Sequence, residues 1–180
     1  MRFYEALGLE PMLSLDAQDL QKRFYERSRQ WHPDRFARAS AADQQKALDI
    51  TAVLNDAFRT LRDPVARAGY FLEEHKVVSS KHPPAELLEE VFEMNMALDE
   101  LRSGDESVRP QLEHARDRFL KLRDEIDHGL SALFIQYDKS LHGNPDESLL
   151  LAVRGVLDRR QYVSNLIRDV EKELNVHVSN

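Results

Sequence analysis

KRFYERSRQWHPDR, residues 22–35, is a helical stretch that stops abruptly on the tripeptide His32-Pro33-Asp34. Around it, Leu20, Phe24, Ser28 and Trp31 recur at the spacing of one helical face, while Lys22, Arg23, Arg27 and Arg29 project elsewhere. The proline ring crowds the preceding residue out of the helical region, so His32 is expected to be extended and the helix to end near Trp31. Residues 35–41 carry no periodic apolar signal and read as loop. Beyond them Ala47, Ile50, Leu54, Ala57 and Leu61 recur on one face of a second helix, from about Ala41 to Arg62. The tripeptide thus sits between two packed helices.

Outward from this hairpin, Phe3, Tyr4 and Leu7 in front of Gly8 predict a short first helix ended by glycine, and Asp16 is a good helix opener. Asp63-Pro64 breaks the second long helix and places proline in the first turn of a shorter one, Val65 to His75, which carries Tyr70, Phe71 and Leu72. Residues 76–84 hold two serines and two prolines and make the best domain boundary. The reading is a first domain at 1–75, a linker at 76–84 and a second domain at 85–180, with His75 and His82 as loop residues. The second domain shows three helices and no strand candidate. One runs from about Pro84 to Arg102 and ends at Ser103-Gly104. The next begins near Ser107, with Val108, Leu112, Ala115, Phe119, Leu122, Ile126, Leu130, Leu133 and Tyr137 in register, a helix of about 45–50 Å. After a turn at Gly143-Asn144-Pro145, the last runs from about Asp146 to Leu174 with Leu149, Val153, Val156, Val163, Ile167, Val170 and Leu174 on its seam. Short connections imply antiparallel neighbours, hence an all-α chain whose second domain is a three-helix bundle.

The chain of 180 residues is 42% apolar, enough for one or two modest cores. Its formal charge of -7 disfavours non-specific binding to nucleic acid, which needs a clustered positive surface. With no cysteine, disulfides, thiolate chemistry and cysteine-ligated metal clusters are excluded for this chain. No apolar run is long enough to span a membrane, and the N-terminus reaches acidic residues and a proline too early for a signal peptide. A reducing internal compartment is expected, a bacterial cytoplasm or, in a eukaryote, the mitochondrial matrix. Charge is divided unevenly. Residues 19–31 set Lys22, Arg23, Arg27 and Arg29 against Asp19 and Glu26, whereas residues 86–106 hold eight acidic side chains against Arg102 alone.

The basic helix, Trp31, the tripeptide and the run LNDAFRTLRDPVARAGYFL (54–72), preceded by FYEALGLEP (3–11), resemble a J domain, the module that stimulates ATP hydrolysis by a DnaK-type chaperone. The resemblance implies that His32, Pro33 and Asp34, with Lys22, Arg23, Arg27, Arg29 and Arg35 around them, contact that ATPase. The residue chemistry agrees. Proline limits the freedom of the loop, Asp34 offers a carboxylate to a partner arginine, and the cations would steer a negative patch onto the tripeptide. The chain would then be no enzyme but an activator that binds one state of the ATPase better than another.

The second domain narrows the family. No Gly/Phe-rich stretch, cysteine-rich repeat or β-rich client domain follows the J domain. Over nearly the whole length, including Tyr162, Leu166, Val170 and Leu174, the chain resembles the HscB family, called Jac in fungi, the J-domain co-chaperones of iron-sulfur cluster assembly. That resemblance implies an L-shaped two-domain protein whose bundle binds the cluster scaffold IscU and delivers it to the chaperone HscA, with no cofactor of its own. Helix geometry locates a candidate scaffold surface. Positions 87, 91, 94, 98 and 101 fall within about 80° of arc, and Leu88, Phe92 and Met96 lie roughly 100–180° away as a second apolar stripe beside Glu93 and Glu100. Tyr162 sits about 120° off its own seam, where the family resemblance places an aromatic contact. The alternative for Leu88 and Phe92 is packing against the long helix or the first domain.

Two rival functions stand beside this reading: a J-domain co-chaperone for a different client, and a helical metal-binding enzyme. The second would use Glu125 and His128, a Glu-x-x-His pattern, but a di-iron bundle needs a second such pair and further inward glutamates. Only one pair occurs.

Overall fold

The computed structural model describes residues 2–79, 84–143 and 145–176. Seven α-helices account for most of them: α1 (Arg2–Leu7), α2 (Ala17–Gln30), α3 (Ala41–Arg62), α4 (Pro64–Glu74), α5 (Leu88–Arg102), α6 (Arg109–Ser140) and α7 (Glu147–Val176). There is no strand among the described residues. His82 and Asn144, read from the sequence as linker and turn residues, lie outside the described residues.

Local chemistry sets most boundaries. Asp16 caps α2 by accepting from the amides of Gln18 and Asp19, both at 2.8 Å, and Asp63 accepts from Ala66 at 2.7 Å to cap α4 behind Pro64. Ser40 and Asp43 bond reciprocally at the start of α3. Gly8 ends α1 in the left-handed region at φ 66, where the Gly8 and Leu9 amides donate to Glu5 and Tyr4, a termination that a side chain would strain. Three short 3-10 turns were not visible in the periodicity: Pro33–Phe36, Ala85–Leu87 and Glu106–Val108. The first corrects the expected featureless loop after the tripeptide, and the other two move the starts of α5 and α6 inward. His75 is not a simple loop residue, since it forms the C-cap of α4, with its ring stacked on Phe71 at 4.4 Å.

Two compact units result, Met1–Val78 with Phe134–Leu150, and Ser79–Leu133 with Leu151–Asn180. The division falls once in the proline-rich connection and again within α6 and α7. In the first unit, Leu20 of α2 and Ala47, Leu54, Ala57 and Leu61 of α3 are buried, with Phe24 stacked on Phe58 at 4.3 Å. Tyr4, Leu7, Phe71 and Leu72 close the core from α1 and α4, and Phe3 stacks on Tyr70 at 4.6 Å.

The tip of the α6–α7 hairpin belongs to this unit because it completes a polar arrangement that α1–α4 leave open. The buried carboxylate of Asp138 accepts from the Leu13 amide at 2.8 Å and the Ser14 amide at 2.6 Å. Buried Arg67 donates to the Leu13 carbonyl at 2.8 Å and to the Leu61 carbonyl at 2.6 Å, and the Tyr4 hydroxyl donates to Met12 at 2.7 Å. The α1–α2 loop, which has no secondary structure of its own, therefore has its buried backbone groups satisfied by three side chains. Tyr137 packs edge-on against Phe71 at 5.6 Å beside Asp138.

The second unit has one core drawn from three helices: Met94, Ala97, Leu98 and Leu101 of α5, Leu112, Phe119 and Ile126 of α6, and Val163, Ile167, Val170 and Leu174 of α7. Arg109 reaches the Leu174 carbonyl and Arg160 pairs with Asp127, so α6 and α7 run antiparallel. Arg102–Glu173 at 2.8 Å and Arg159–Glu86 at 3.6 Å place α5 parallel to α7.

Asp138→Ala is expected to cost about 2–4 kcal/mol, because it removes two charge-assisted hydrogen bonds and strands the buried Leu13 amide. Asp138→Asn, which keeps one acceptor, should cost less, and urea denaturation of the full chain measures both. Burial also pushes the phenol of Tyr4 above its ordinary value. Above pH about 10 the unfolded chain releases that proton while the folded one keeps it, so the folded state binds more protons and stability falls as pH rises. The urea midpoint should decline above that pH, more shallowly in Tyr4→Phe.

Candidate functional site

The sequence-predicted residues fall on two surfaces, one in each unit. In the first, α2 ends at Trp31, whose amide bonds the Arg27 carbonyl. His32 is extended, at φ -60 and ψ 129, as its position before proline requires, and Pro33 opens the 3-10 turn. The His32 Nδ1 accepts from the Asp34 amide at 3.3 Å and lies 3.5 Å from the Asp34 carboxylate. In a neutral ring accepting at Nδ1, the proton sits on Nε2. The His32 and Asp34 side chains are 58% and 90% exposed. Asp34 therefore keeps nearly all of its carboxylate surface open to solvent, which is the condition for accepting hydrogen bonds from another protein.

The four cations of α2 do not share one face. At 100° per residue, Lys22 and Arg29 lie with Tyr25 and Glu26 within about 100° of arc, and these four line one exposed groove. Arg23 and Arg27 point the other way, toward the end of α1. Arg23 donates to the Gly8 carbonyl at 2.5 Å and to Asp19 at 2.7 Å, and the Arg27 guanidinium closes over Gly8. Arg23 therefore meets a carbonyl at the end of α1, where a cation is electrostatically favoured, with Arg27 beside it. Arg35 is exposed on the 3-10 turn. The sequence pattern could not separate these roles, because it registers charge but not the neighbour that occupies it.

In the second unit, Leu88, Phe92 and Met96 are 52%, 65% and 51% exposed. They follow one another at four-residue intervals along α5, on the side away from Met94, Leu98 and Leu101. Glu93 and Glu100 are exposed on the same helix. This is an apolar strip, exposed along the helix, with acidic side chains on the same helix. Tyr162 differs from the other proposed members of this surface: its ring is half-buried and packs against the core of the unit. The interior of the bundle takes up more of the 162 position than its angle from the seam suggests.

Glu125 and His128 are exposed, with the His128 ring nitrogen 2.7 Å from the Asp124 carbonyl. Among the described residues no group of three or more His, Asp or Glu side chains is placed to hold a metal ion. Sequence reasoning missed Asp138 and Arg67 altogether. The signal for Asp138 is its position four residues after Phe134, which is buried where Leu133 is only partly so, a drift of the α6 seam.

The helical hairpin and its exposed His-Pro-Asp turn lie within residues 2–70, the stretch that the family model described as DnaJ domain matches. Over 96% of both chains the structure is similar to the chaperone HscB from Vibrio cholerae, with a TM-score of 0.63 and 25% identity. It also shares the fold of the human co-chaperone protein HscB, with a TM-score of 0.68 and 20% identity over 96% of this chain and 82% of that one. The chain is thus similar to HscB co-chaperones over nearly its whole length, with the DnaJ-domain match falling on residues 2–70.

The burial pattern separates surface from core in a way that stability measurements can read. Joint replacement of Leu88, Phe92 and Met96 by Ser should leave the thermal midpoint within a few degrees of the unmodified chain, since exposed substitutions cost little. Tyr162→Ala should lower stability by about 1–3 kcal/mol.

Proposed function

We propose that this chain stimulates ATP hydrolysis by a DnaK-class chaperone of the HscA type through His32-Pro33-Asp34, and presents to it an IscU-type iron-sulfur scaffold held on α5. The observation that carries the reading is the exposed, capped His-Pro-Asp turn inside a DnaJ domain, in a chain that also bears an apolar strip its own fold does not bury. Asp34 accepts from an arginine of the ATPase, an interaction that strengthens as the interface excludes water. Lys22, Arg29 and Arg35 bring an acidic partner surface onto the turn, raising the encounter rate more than the final affinity. Hydrolysis itself belongs to the partner. By binding the hydrolysis-competent state better than the other, the tripeptide shifts the equilibrium between them.

On the other unit, Leu88, Phe92 and Met96 anchor the scaffold, with Glu93 and Glu100 fixing its orientation. Tyr162 supports this surface from α7 with the part of its ring that the core leaves open. The iron-sulfur cluster remains with the scaffold, because a chain without cysteine has no thiolate to ligate it. Absence of cysteine also suits a reducing compartment, a bacterial cytoplasm or the mitochondrial matrix, and no described helix is long and apolar enough to cross a membrane.

An ATPase assay with purified HscA-type chaperone and IscU-type scaffold, added separately and together, tests both surfaces. The expected result is stimulation by the chain, greater with scaffold present than the separate effects combined. Asp34→Asn should abolish the stimulation. Joint replacement of Leu88, Phe92 and Met96 by Ala should leave stimulation by the chain alone intact and weaken scaffold binding by more than about 2 kcal/mol. Full stimulation by Asp34→Asn would remove the proposed role of the tripeptide, and unchanged scaffold affinity would remove that of the strip.

A further inference from the structure

His32 and Asp34 are exposed, and the contacts between them join the tripeptide only to itself, so its placement against the two helices is set from outside it. The structure shows what imposes it. The Thr51 hydroxyl, in the middle of α3, donates to the Trp31 carbonyl at 3.1 Å, twenty residues away in sequence. A threonine inside a helix ordinarily returns its hydroxyl to a carbonyl of its own preceding turn. Here it satisfies one of the carbonyls that the end of α2 leaves without a helical partner, on the residue immediately before His32.

The other end of the turn is held from the same helix. The Gln44 side-chain amide donates to the carbonyls of Ala39 at 3.1 Å and Ala37 at 3.3 Å. Between these anchors the Trp31 and Phe36 rings stack, 5.7 Å apart and within 3° of parallel, and the Lys46 ammonium lies 5.7 Å from the centre of the Trp31 ring. Residues 31 and 36 therefore flank the tripeptide with stacked rings, and α3 supplies a hydrogen bond to Trp31 itself on one side and two bonds beyond Phe36 on the other.

We infer that Thr51 and Gln44 are positioning residues for the tripeptide, holding its backbone in the one conformation that presents Asp34 to the ATPase. Neither touches the partner. Each removes alternative placements of a turn whose own side chains bond only within it. Loss of one such bond lets the turn sample other conformations, and the competent fraction, hence the apparent affinity, falls in proportion. This inference rests on the proposed reading of the tripeptide as the ATPase contact.

The test compares Thr51→Val, Thr51→Ser, Gln44→Met, Asp34→Asn and the unmodified chain, all full length, in two measurements. Amide hydrogen exchange of the free protein reads the turn directly at Arg35, Ala37 and Ala39, whose amides donate to His32, Asp34 and Phe36. Titration of each variant against the HscA-type chaperone reads the concentration needed for half-maximal ATPase stimulation. Thr51→Val and Gln44→Met should each speed exchange at those amides and raise the half-maximal concentration about threefold to tenfold, the range one net hydrogen bond controls. Maximal stimulation at saturation should be kept. Thr51→Ser, which restores the hydroxyl without the methyl group, should return both values to those of the unmodified chain, an outcome a packing defect would not give. Unchanged exchange and unchanged half-saturation in Thr51→Val and Gln44→Met, with Asp34→Asn inactive, would overturn the inference and leave the tripeptide reading standing. Full stimulation by Asp34→Asn would overturn both.

Discussion

The carboxylate of Asp138, buried between the α6–α7 tip and the α1–α2 loop, is the constraint on which the first unit depends. A buried carboxylate is costly unless its oxygens accept hydrogen bonds, and here each oxygen takes one from a consecutive amide of residues 13 and 14. Arg67 does not close on Asp138 directly. Its guanidinium binds the carbonyls of Leu13 and Leu61, so the two charges meet across a single peptide group. Burial alone pushes the Arg67 guanidinium below its ordinary value, and the neighbouring Asp138 works against that shift. Apolar packing could hold these helices together without such a device. What the polar arrangement adds is register, since a loop whose amides must face one carboxylate has few alternative positions.

That fixed loop matters for the surface nearby. The chain leaving it enters α2 at Asp16, and α2 delivers Trp31 and the tripeptide at its far end. The tripeptide thus stands at the far end of a capped helix that starts from this loop, on a turn with no buried side chain. The same helix spends Arg23 and Arg27 on the end of α1 and leaves Lys22 and Arg29 beside an exposed Tyr25. Two of its cations thus secure the fold and two remain available to a partner.

Much of this was legible in the sequence because periodicity, prolines and capping residues all pointed the same way. The spans of α2 and α3, the break at Asp63-Pro64 and the apolar strip at 88, 92 and 96 follow from helical spacing alone. The tripeptide stood out because proline after histidine stops a helix on a charged, unburied sequence. The rest was hidden for specific reasons. Asp138 and Arg67 carry charges that a pattern search assigns to solvent, and only the fold brings them to one peptide. Thr51 and Gln44 look like ordinary helix-surface residues, since the carbonyls they bind lie twenty and about six residues away. Tyr162 stands off the seam of an ideal helix, at a position where the family resemblance also implies an aromatic contact, whereas the core it meets extends past that seam.

The two surfaces call on different physics, and magnitudes show how the work is divided. Burying a large apolar side chain stabilises by about 1.5–3 kcal/mol, so three residues that are each about half exposed still have roughly 2–4 kcal/mol to gain from a covering partner. An exposed charge pair contributes about 0–1 kcal/mol. The strip on α5 therefore has more to gain from a covering partner than exposed charges beside it do. The tripeptide surface has little apolar area to offer, and it must depend on Asp34, on a few cations and on being held still. A surface of that kind binds weakly and releases readily, which fits the proposed role of triggering hydrolysis in a partner and then letting go.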